Sequence, residues 1–315
     1  MATATEALRQ FVLDPIAKRS PALFLFRLLQ LVHERTSGRH DARLRGIAAA
    51  LKPKIALPPS AMLDDTAVGA AVAELEGRGW SILPYRLPPS DIAEIRAFAA
   101  ATEAYVDDPQ VGVRVDPEAP PGDHARYQWR MRDLLALRAV QRLIADSALH
   151  RVAQDYIGCR PLLAHVTMWL DVIHEGVFDA HVYHCDNDGP GFLKYFIYLS
   201  DVDVDSGAHT FIQGSHRMKP AQFRTSARCD RDALLAHYGL ENEIVFTAPA
   251  GTILAEDTAG FHRGMDPKTR PRLLLQLQFS AVDIPHVEEF ALGRPTIALP
   301  GIDRGIRKIG RKFLA

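Results

Sequence analysis

The stretch HVYHCDNDGPGFLKYFIYLSDVDVDSGAHTFIQGSHR, residues 181–217, decides how the rest of the chain is read. Its centre, FLKYFIYL, is a short aromatic and β-branched run bounded by Gly-Pro-Gly on one side and an Asp- and Ser-rich segment on the other, the pattern of a buried strand between turns. The same texture extends outward from about Leu162, through LLAHVTMWLDVI, TFIQ, EIVFTA, GTILAED and RLLLQLQFSAV. No helical pattern alternates with these runs, so they suit a sandwich or barrel better than a parallel α/β sheet. The expected class is mainly β with flanking helices.

Upstream the texture is helical. Ser20-Pro21 reads as an N-cap with proline at the first helical position, followed by Leu25, Leu28, Leu29 and Val32 on one apolar stripe until Ser37-Gly38. That stripe could dock on the rest of the protein, on a second subunit or on a membrane surface. KPKIALPPS, Lys52 to Ser60, concentrates prolines and reads as a connector, placing a boundary near residue 65. VAELEGRG then reads as a helix closed by glycines, Trp80 to Leu83 as a strand, and the next segment as a helix capped at Ser90 or Asp91. The organisation expected is a helical extension over 1–65, a sheet domain over 66–290 and a basic tail over 291–315. In the tail, Ile302, Ile306, Ile309 and Phe313 form a stripe among Arg304, Arg307, Lys308, Arg311 and Lys312. Such a segment either packs on the sheet domain or makes peripheral contact with an anionic membrane.

Composition narrows the partners. With 315 residues, 47% hydrophobic and 24% charged, the chain can bury a real core. A net charge of −1 and a pI near 6.9 supply no field for gathering nucleic acid, so none is expected as a partner. Cys159, Cys185 and Cys229 are odd in number and lack metal-ribbon spacing. They suggest a reducing compartment, and with no apolar run long enough to span a bilayer the expectation is cytoplasmic. Oligomeric state is not legible.

The chemistry concentrates at His184-Cys185-Asp186. In extended backbone the outer two side chains share a face while Cys185 points away, so an imidazole and a carboxylate converge. Two histidines and one carboxylate with open positions make the face that holds non-haem Fe(II). An isolated H-x-D triplet is weak, and a third ligand is required. His262, in GTILAEDTAGFHRGMDPKTRPRLLLQLQFS, follows a strand and turn and is the candidate. Arg272 leads the next strand and shares a face with Leu274 and Gln276, whereas Arg270 precedes Pro271 in a turn, so Arg272 is preferred as a bidentate carboxylate holder. Lys194, Phe196 and Tyr198 share a face of the strand after H-x-D. Lys194 would add a second positive charge there, or be an ordinary strand lysine. Gly214-Ser215-His216 reads as a turn, and His181 and His209 as minor candidates for substrate contact.

The runs HCD, LKYFIYLSDVDVDSG, QGSHR, FHRG and RPRLLLQLQFS, together with GWSILPYRLPPSDIAEIRAF, resemble the phytanoyl-CoA dioxygenase family of Fe(II)- and 2-oxoglutarate-dependent oxygenases over roughly Gly77 to Val282. The resemblance implies a double-stranded β-helix, a jelly roll of the cupin kind. It implies His184, Asp186 and His262 as metal ligands, Arg272 as the 2-oxoglutarate anchor, and O₂ as the second cosubstrate. The implied reaction is hydroxylation of an unactivated C–H bond of a small-molecule or lipid-linked substrate, releasing succinate and CO₂; with Asp186 present, no ligand position is left for a halide. Two departures stand out: Gln213 replaces the usual proline before Gly-Ser-His, and His209 replaces an apolar residue or proline. Substrate contacts are expected from loops, here residues 107–132 and 224–243. Arg126, Arg130 and Arg132 in the first suggest an anionic group, with a solvated basic face as the plainer reading. Competing readings are a jelly-roll metalloprotein with non-oxidative chemistry and a non-catalytic binding protein with a degenerate site.

Overall fold

The strand runs of residues 162–282 form two facing antiparallel sheets in the computed structural model, which describes residues 21–36, 40–176, 178–217, 219–223, 228–285 and 287–315. The cap at Ser20, the helix stop at Ser37-Gly38 and residues 224–227 of the second loop lie outside the described residues. In chain order the elements are α1 (Pro21–Thr36), α2 (Asp41–Leu51), α3 (Asp65–Arg78), β1 (Trp80–Arg86), α4 (Pro89–Ala101), β2 (Arg126–Trp129), α5 (Met131–Ala136), α6 (Arg138–Ala145), α7 (Ala148–Ile157), β3 (Leu162–Asp171), β4 (Phe192–Tyr198), β5 (His209–Ile212), α8 (Arg231–Tyr238), β6 (Glu243–Phe246), β7 (Thr252–Glu256), β8 (His262–Gly264), β9 (Arg272–Ser280), α9 (Val287–Leu292) and α10 (Arg304–Ile309). The larger sheet runs β1-β7-β4-β9-β3-β2 and the smaller β6-β5-β8. This meets the sandwich or barrel expected from the strand texture, in the jelly-roll form that the resemblance implies.

Alternation along each central strand sorts its side chains into two cores. Leu273, Leu275, Leu277 and Phe279 of β9, with Leu193, Tyr195 and Ile197 of β4, face outward into the main core with α3 to α7. Their neighbours Leu274, Phe196, Tyr198 and Leu254 face inward and pack against Phe211 and Phe246 of the smaller sheet. Both faces are covered, which is why β4 and β9 are buried along their whole length and read as continuous apolar runs. Polar residues on the inward face therefore need a specific partner. Arg272, Gln276, Lys194 and Asp171 are such residues.

Several local expectations are corrected. The helix read as capped at Ser90 or Asp91 begins at Pro89, because Pro88 supplies the extended entry and no side chain caps it. Strand β2 lies inside the segment read as loop 107–132, held in register on β3. The stripe read on α1 is only partly the docking face: Phe26 is 6% exposed against Ala164 and Ile284, while Leu25 and Leu28 are 50% and 41% exposed. The helix docks instead through Phe26 and Gln30, one turn apart, and Gln30 exchanges hydrogen bonds with the backbone and side chain of Asn187 at 2.7 and 3.1 Å. The connector over 52–60 is tied down by Gln154, which bonds both backbone groups of Ile55. In the tail, Ile306, Ile309 and Phe313 are buried in the main core, and Lys312 is buried among Ile284 O, Asp283 and Glu289. Of the two readings of this stripe, packing on the sheet domain or contact with a membrane, its buried residues follow the first. Among the described residues, no helix is long and apolar enough to cross a membrane.

Candidate metal centre and carboxylate pocket

His184 and Asp186 sit on the extended segment that leads toward β4, and His262 opens β8. The two segments meet as an isolated antiparallel bridge, His184 N to His262 O at 3.0 Å and His262 N to His184 O at 2.8 Å. That pairing sets the two rings side by side, centroids 4.3 Å apart. A second backbone bond, Asp186 N to Thr258 O at 2.8 Å, fixes the carboxylate beside them. One ligand atom from each of His184, Asp186 and His262 lies within 4.8 Å of the others, and His262 Nε2 stands 3.5 Å from Asp186 Oδ2. Ligands on adjacent octahedral corners about 2.1 Å from an ion stand about 3 Å apart, so a small adjustment closes the set on a divalent metal.

The hydrogen bonding supports this use of the donors. His184 Nδ1 donates to Val182 O at 2.9 Å, and His262 Nδ1 donates to Gly260 O at 3.0 Å. A carbonyl only accepts, so each Nδ1 carries the proton and each Nε2 keeps its lone pair. Burial depresses both imidazoles, His262 strongly, and holds them neutral. Burial alone would raise Asp186, but the Lys194 ammonium beside it holds its carboxyl well below the usual range. The three groups are thus present in their ligating forms.

Lys194 reaches Asp186 Oδ2 at 2.6 Å and Asp188 Oδ2 at 3.0 Å. Its contacts are therefore to the carboxylates around the H-x-D loop, where the sequence reading had placed it on the cosubstrate's carboxylate. Burial would lower it, and the two aspartates raise it above the ordinary lysine value. Phe196 and Lys194 both line a cavity of about 170 Å³ with His184, Asp186, His262, Arg126, Trp169, His209, Arg272 and Gln276. Tyr198, on the same strand face, lies deeper and donates to Phe246 O.

Arg272 is 2% exposed and turned into this cavity. Its Nη2 and Nε donate to Asp171 Oδ2 at 2.5 and 3.2 Å, while Arg126 Nε and Nη2 both lie 2.7 Å from Asp171 Oδ1. Two guanidinium groups share one carboxylate, leaving a net positive charge at this end of the cavity. Burial would raise Asp171, but the two arginines hold it well below the carboxylate range. Arg272 Nη1 is buried without a partner. Close by, the His181 Nδ1 proton is donated to Asp266 at 2.5 Å, and burial keeps that ring neutral, so it adds no charge. Gly264 makes room: a Cβ there would stand 2.8 Å from Arg272 Nη2. Arg270, the rejected alternative, pairs with exposed Asp203.

Among minor candidates, His209 bonds Glu256 at 2.9 Å and stacks on His262, centroids 5.5 Å apart, and so acts as a neutral wall rather than a ligand. Gly214 takes φ 81° and Ser215 Oγ accepts from Phe261 N, the turn expected there. Arg130 and Arg132 donate to backbone carbonyls of Pro109 and Leu292, whereas Arg126 enters the site. Sequence reasoning passed over Asp171 and treated Arg126 as surface. Only the register of β2 and β3 with β9, which sets Asp171 opposite Arg272 and Arg126 opposite Asp171, brings these residues together.

No protein-family model matches the sequence, and no curated protein matches it. Solved structures do share the fold. The non-heme alpha ketoglutarate dependent carbocyclase SnoK from nogalamycin biosynthesis aligns over 76% of this chain and 94% of its own, at 15% identity and TM-score 0.52. The non-heme alpha ketoglutarate dependent epimerase SnoN from the same biosynthesis aligns over 69% and 84%, at 18% identity and TM-score 0.49. EctD from S. alaskensis aligns over 72% and 83%, at 17% identity and TM-score 0.49.

Proposed function

We propose that the protein is an Fe(II)- and 2-oxoglutarate-dependent oxygenase of the phytanoyl-CoA dioxygenase kind. The observation that carries the reading is one cavity holding both halves of the site: a His184, Asp186, His262 donor set with both imidazoles neutral and the carboxylate ionised, and a positively charged Arg272–Asp171–Arg126 end with an unpartnered buried N–H. His184, Asp186 and His262 would hold the iron, which when bound couples O₂ and 2-oxoglutarate to oxidation of a C–H bond, with succinate and CO₂ released. Arg272 Nη1 would donate to the far carboxylate of 2-oxoglutarate, with Asp171 fixing the plane of the fork and Arg126 completing the charge. Phe196, Trp169 and the His209 ring wall the cavity and exclude water. Lys194 holds Asp186 in place as a charge-bearing neighbour of the ligand. Hydroxylation of a small-molecule or lipid-linked substrate is the outcome favoured. SnoK is described as a non-heme alpha ketoglutarate dependent carbocyclase, so ring closure is the alternative outcome at this site.

Aerobic incubation with Fe(II) and 2-oxoglutarate, with and without candidate substrates, tests the reading through succinate release. Metal-dependent succinate from the wild type, lost in Arg272→Leu, is expected. A wild type that binds iron yet never consumes 2-oxoglutarate would leave a metalloprotein of non-oxidative chemistry, and one that binds neither a non-catalytic protein.

A further inference from the structure

A second cavity, of about 340 Å³, lies between the N-terminal helices and the turns behind the H-x-D loop, and it shares no lining residue with the metal cavity. His33 of α1 and Asp41 and Arg45 of α2 form one wall; Gly191, His216, Arg217, Lys219 and Asp257 form the other. We propose that this cavity is a binding site for an anionic small molecule, one bearing a phosphate or carboxylate with a hydroxyl beside it. The proposal does not rest on the oxygenase reading.

Charge and hydrogen-bond bookkeeping carry it. The wall holds three full cations, and among the described residues none of them pairs with a carboxylate: Arg217 donates to the Glu76 and Gly77 carbonyls and Lys219 to the Ala259 carbonyl. Arg45 has its Nε buried without any partner. Both carboxylates are already engaged, Asp41 Oδ2 with His33 Nδ1 at 2.7 Å and Asp257 with Tyr156 OH at 2.5 Å and the Ala259 N–H at 3.1 Å. An unsatisfied buried guanidinium N–H costs folding free energy unless something accepts from it, so the wall is arranged for an acceptor-rich guest. Asp41 Oδ1, also buried and unpartnered, would take the proton of the guest's neighbouring hydroxyl. Arg45 lies close to the floor: its Cγ and Cδ would stand 3.1 Å from a Cβ at Gly191, so a larger residue there would press on its stem.

The volume falls within the range of small-molecule sites, about 300–1,000 Å³. Position gives the site a consequence as well. Helix α1 supplies His33 to the cavity and, one turn earlier, Gln30 to Asn187, the residue after Asp186. An occupant therefore braces the N-terminal helices against the metal-ligand loop.

Titration calorimetry and thermal shift with inorganic phosphate, glucose 6-phosphate and glucuronate, with glucose as the uncharged control, test the proposal and separate phosphate from carboxylate chemistry. At least one anion is expected to bind the wild type and raise its melting temperature while glucose does neither. Arg45→Gln and Lys219→Gln are each expected to weaken that binding at least tenfold with an unchanged far-UV spectrum, and Arg272→Gln to leave it intact. Should a variant misfold, wild type alone decides through labelling of Lys219 by an amine-reactive reagent, which a saturating anion is expected to slow at least threefold. No binding of any anion, binding that survives both substitutions, or undiminished Lys219 labelling overturns the proposal.

Discussion

Replacing Asp171 with Asn removes one negative charge while keeping the side chain's size, and it strips the shared partner from two guanidinium groups. Asp171 is fully buried, Arg272 is 2% exposed and the Arg126 side chain 20% exposed, so neither arginine can turn to water without leaving the cavity wall. Breaking a buried pair by deleting one member costs about 3–5 kcal/mol, because the remaining charge stays uncompensated. At roughly 2 °C per kcal/mol for a chain of this size, the melting temperature is expected to fall by about 6–10 °C. The charge at this end of the cavity rises from one net positive to two. A 2-oxoglutarate carboxylate supplies what the variant lacks, so the cosubstrate at about 100-fold over its Kd should return about 2.7 kcal/mol. Differential scanning fluorimetry of wild type and variant, with and without 2-oxoglutarate, reads both effects. A melting temperature within about 2 °C of wild type would refute the reasoning, since the arginines would then have found other partners.

Three further outcomes follow from particular side chains. Fully buried His150 donates to Ile144 O, and burial pulls it from 6.5 to about 4. The unfolded chain therefore takes up a proton first as pH falls below 6.5, so this residue's contribution is present at neutral pH, declines below 6.5 and is about 2 kcal/mol smaller at pH 5; urea midpoints at pH 7.5 and 5 should lie closer together in His150→Gln than in wild type. Phe313→Ala, at a fully buried site in the tail, should cost about 3–5 kcal/mol in urea unfolding, and wild type should not pellet with anionic vesicles; a near-neutral substitution with pelleting would restore the membrane reading. Gly264→Ala pushes on the Arg272 fork at 2.8 Å and should weaken 2-oxoglutarate about tenfold by calorimetry in the presence of Fe(II) while leaving Fe(II) affinity unchanged, about 1.4 kcal/mol confined to one ligand.

The fold was legible because strands buried on both faces write themselves as continuous aromatic and β-branched runs, and β3, β4, β7 and β9 coincide with the runs read from the sequence. The donor set was legible as residue types: H-x-D on extended backbone, then a histidine and an arginine bracketing a turn before a strand. The partners of those residues were not. Asp171 and Arg126 acquire meaning only through strand register across more than a hundred residues from Arg272, and β2 is four residues long in a segment of turns. The α1 docking face was misread because leucines dominate its hydrophobicity, while the contact is made by Phe26 and a glutamine reaching backbone. Lys194 was placed correctly on the inward face, yet which carboxylate it meets depends on how the H-x-D loop folds back over β4.

Anaerobic titration of the protein with Fe(II) in the presence of 2-oxoglutarate, followed by visible absorption, tests the central claim most directly. A weak metal-to-ligand charge-transfer band that saturates at one iron per chain and is abolished in His262→Ala and in Asp186→Ala is expected. Iron binding without that band in the wild type, or a band that persists undiminished in both variants, would contradict the assignment of His184, Asp186 and His262 as the iron ligands of a 2-oxoglutarate enzyme.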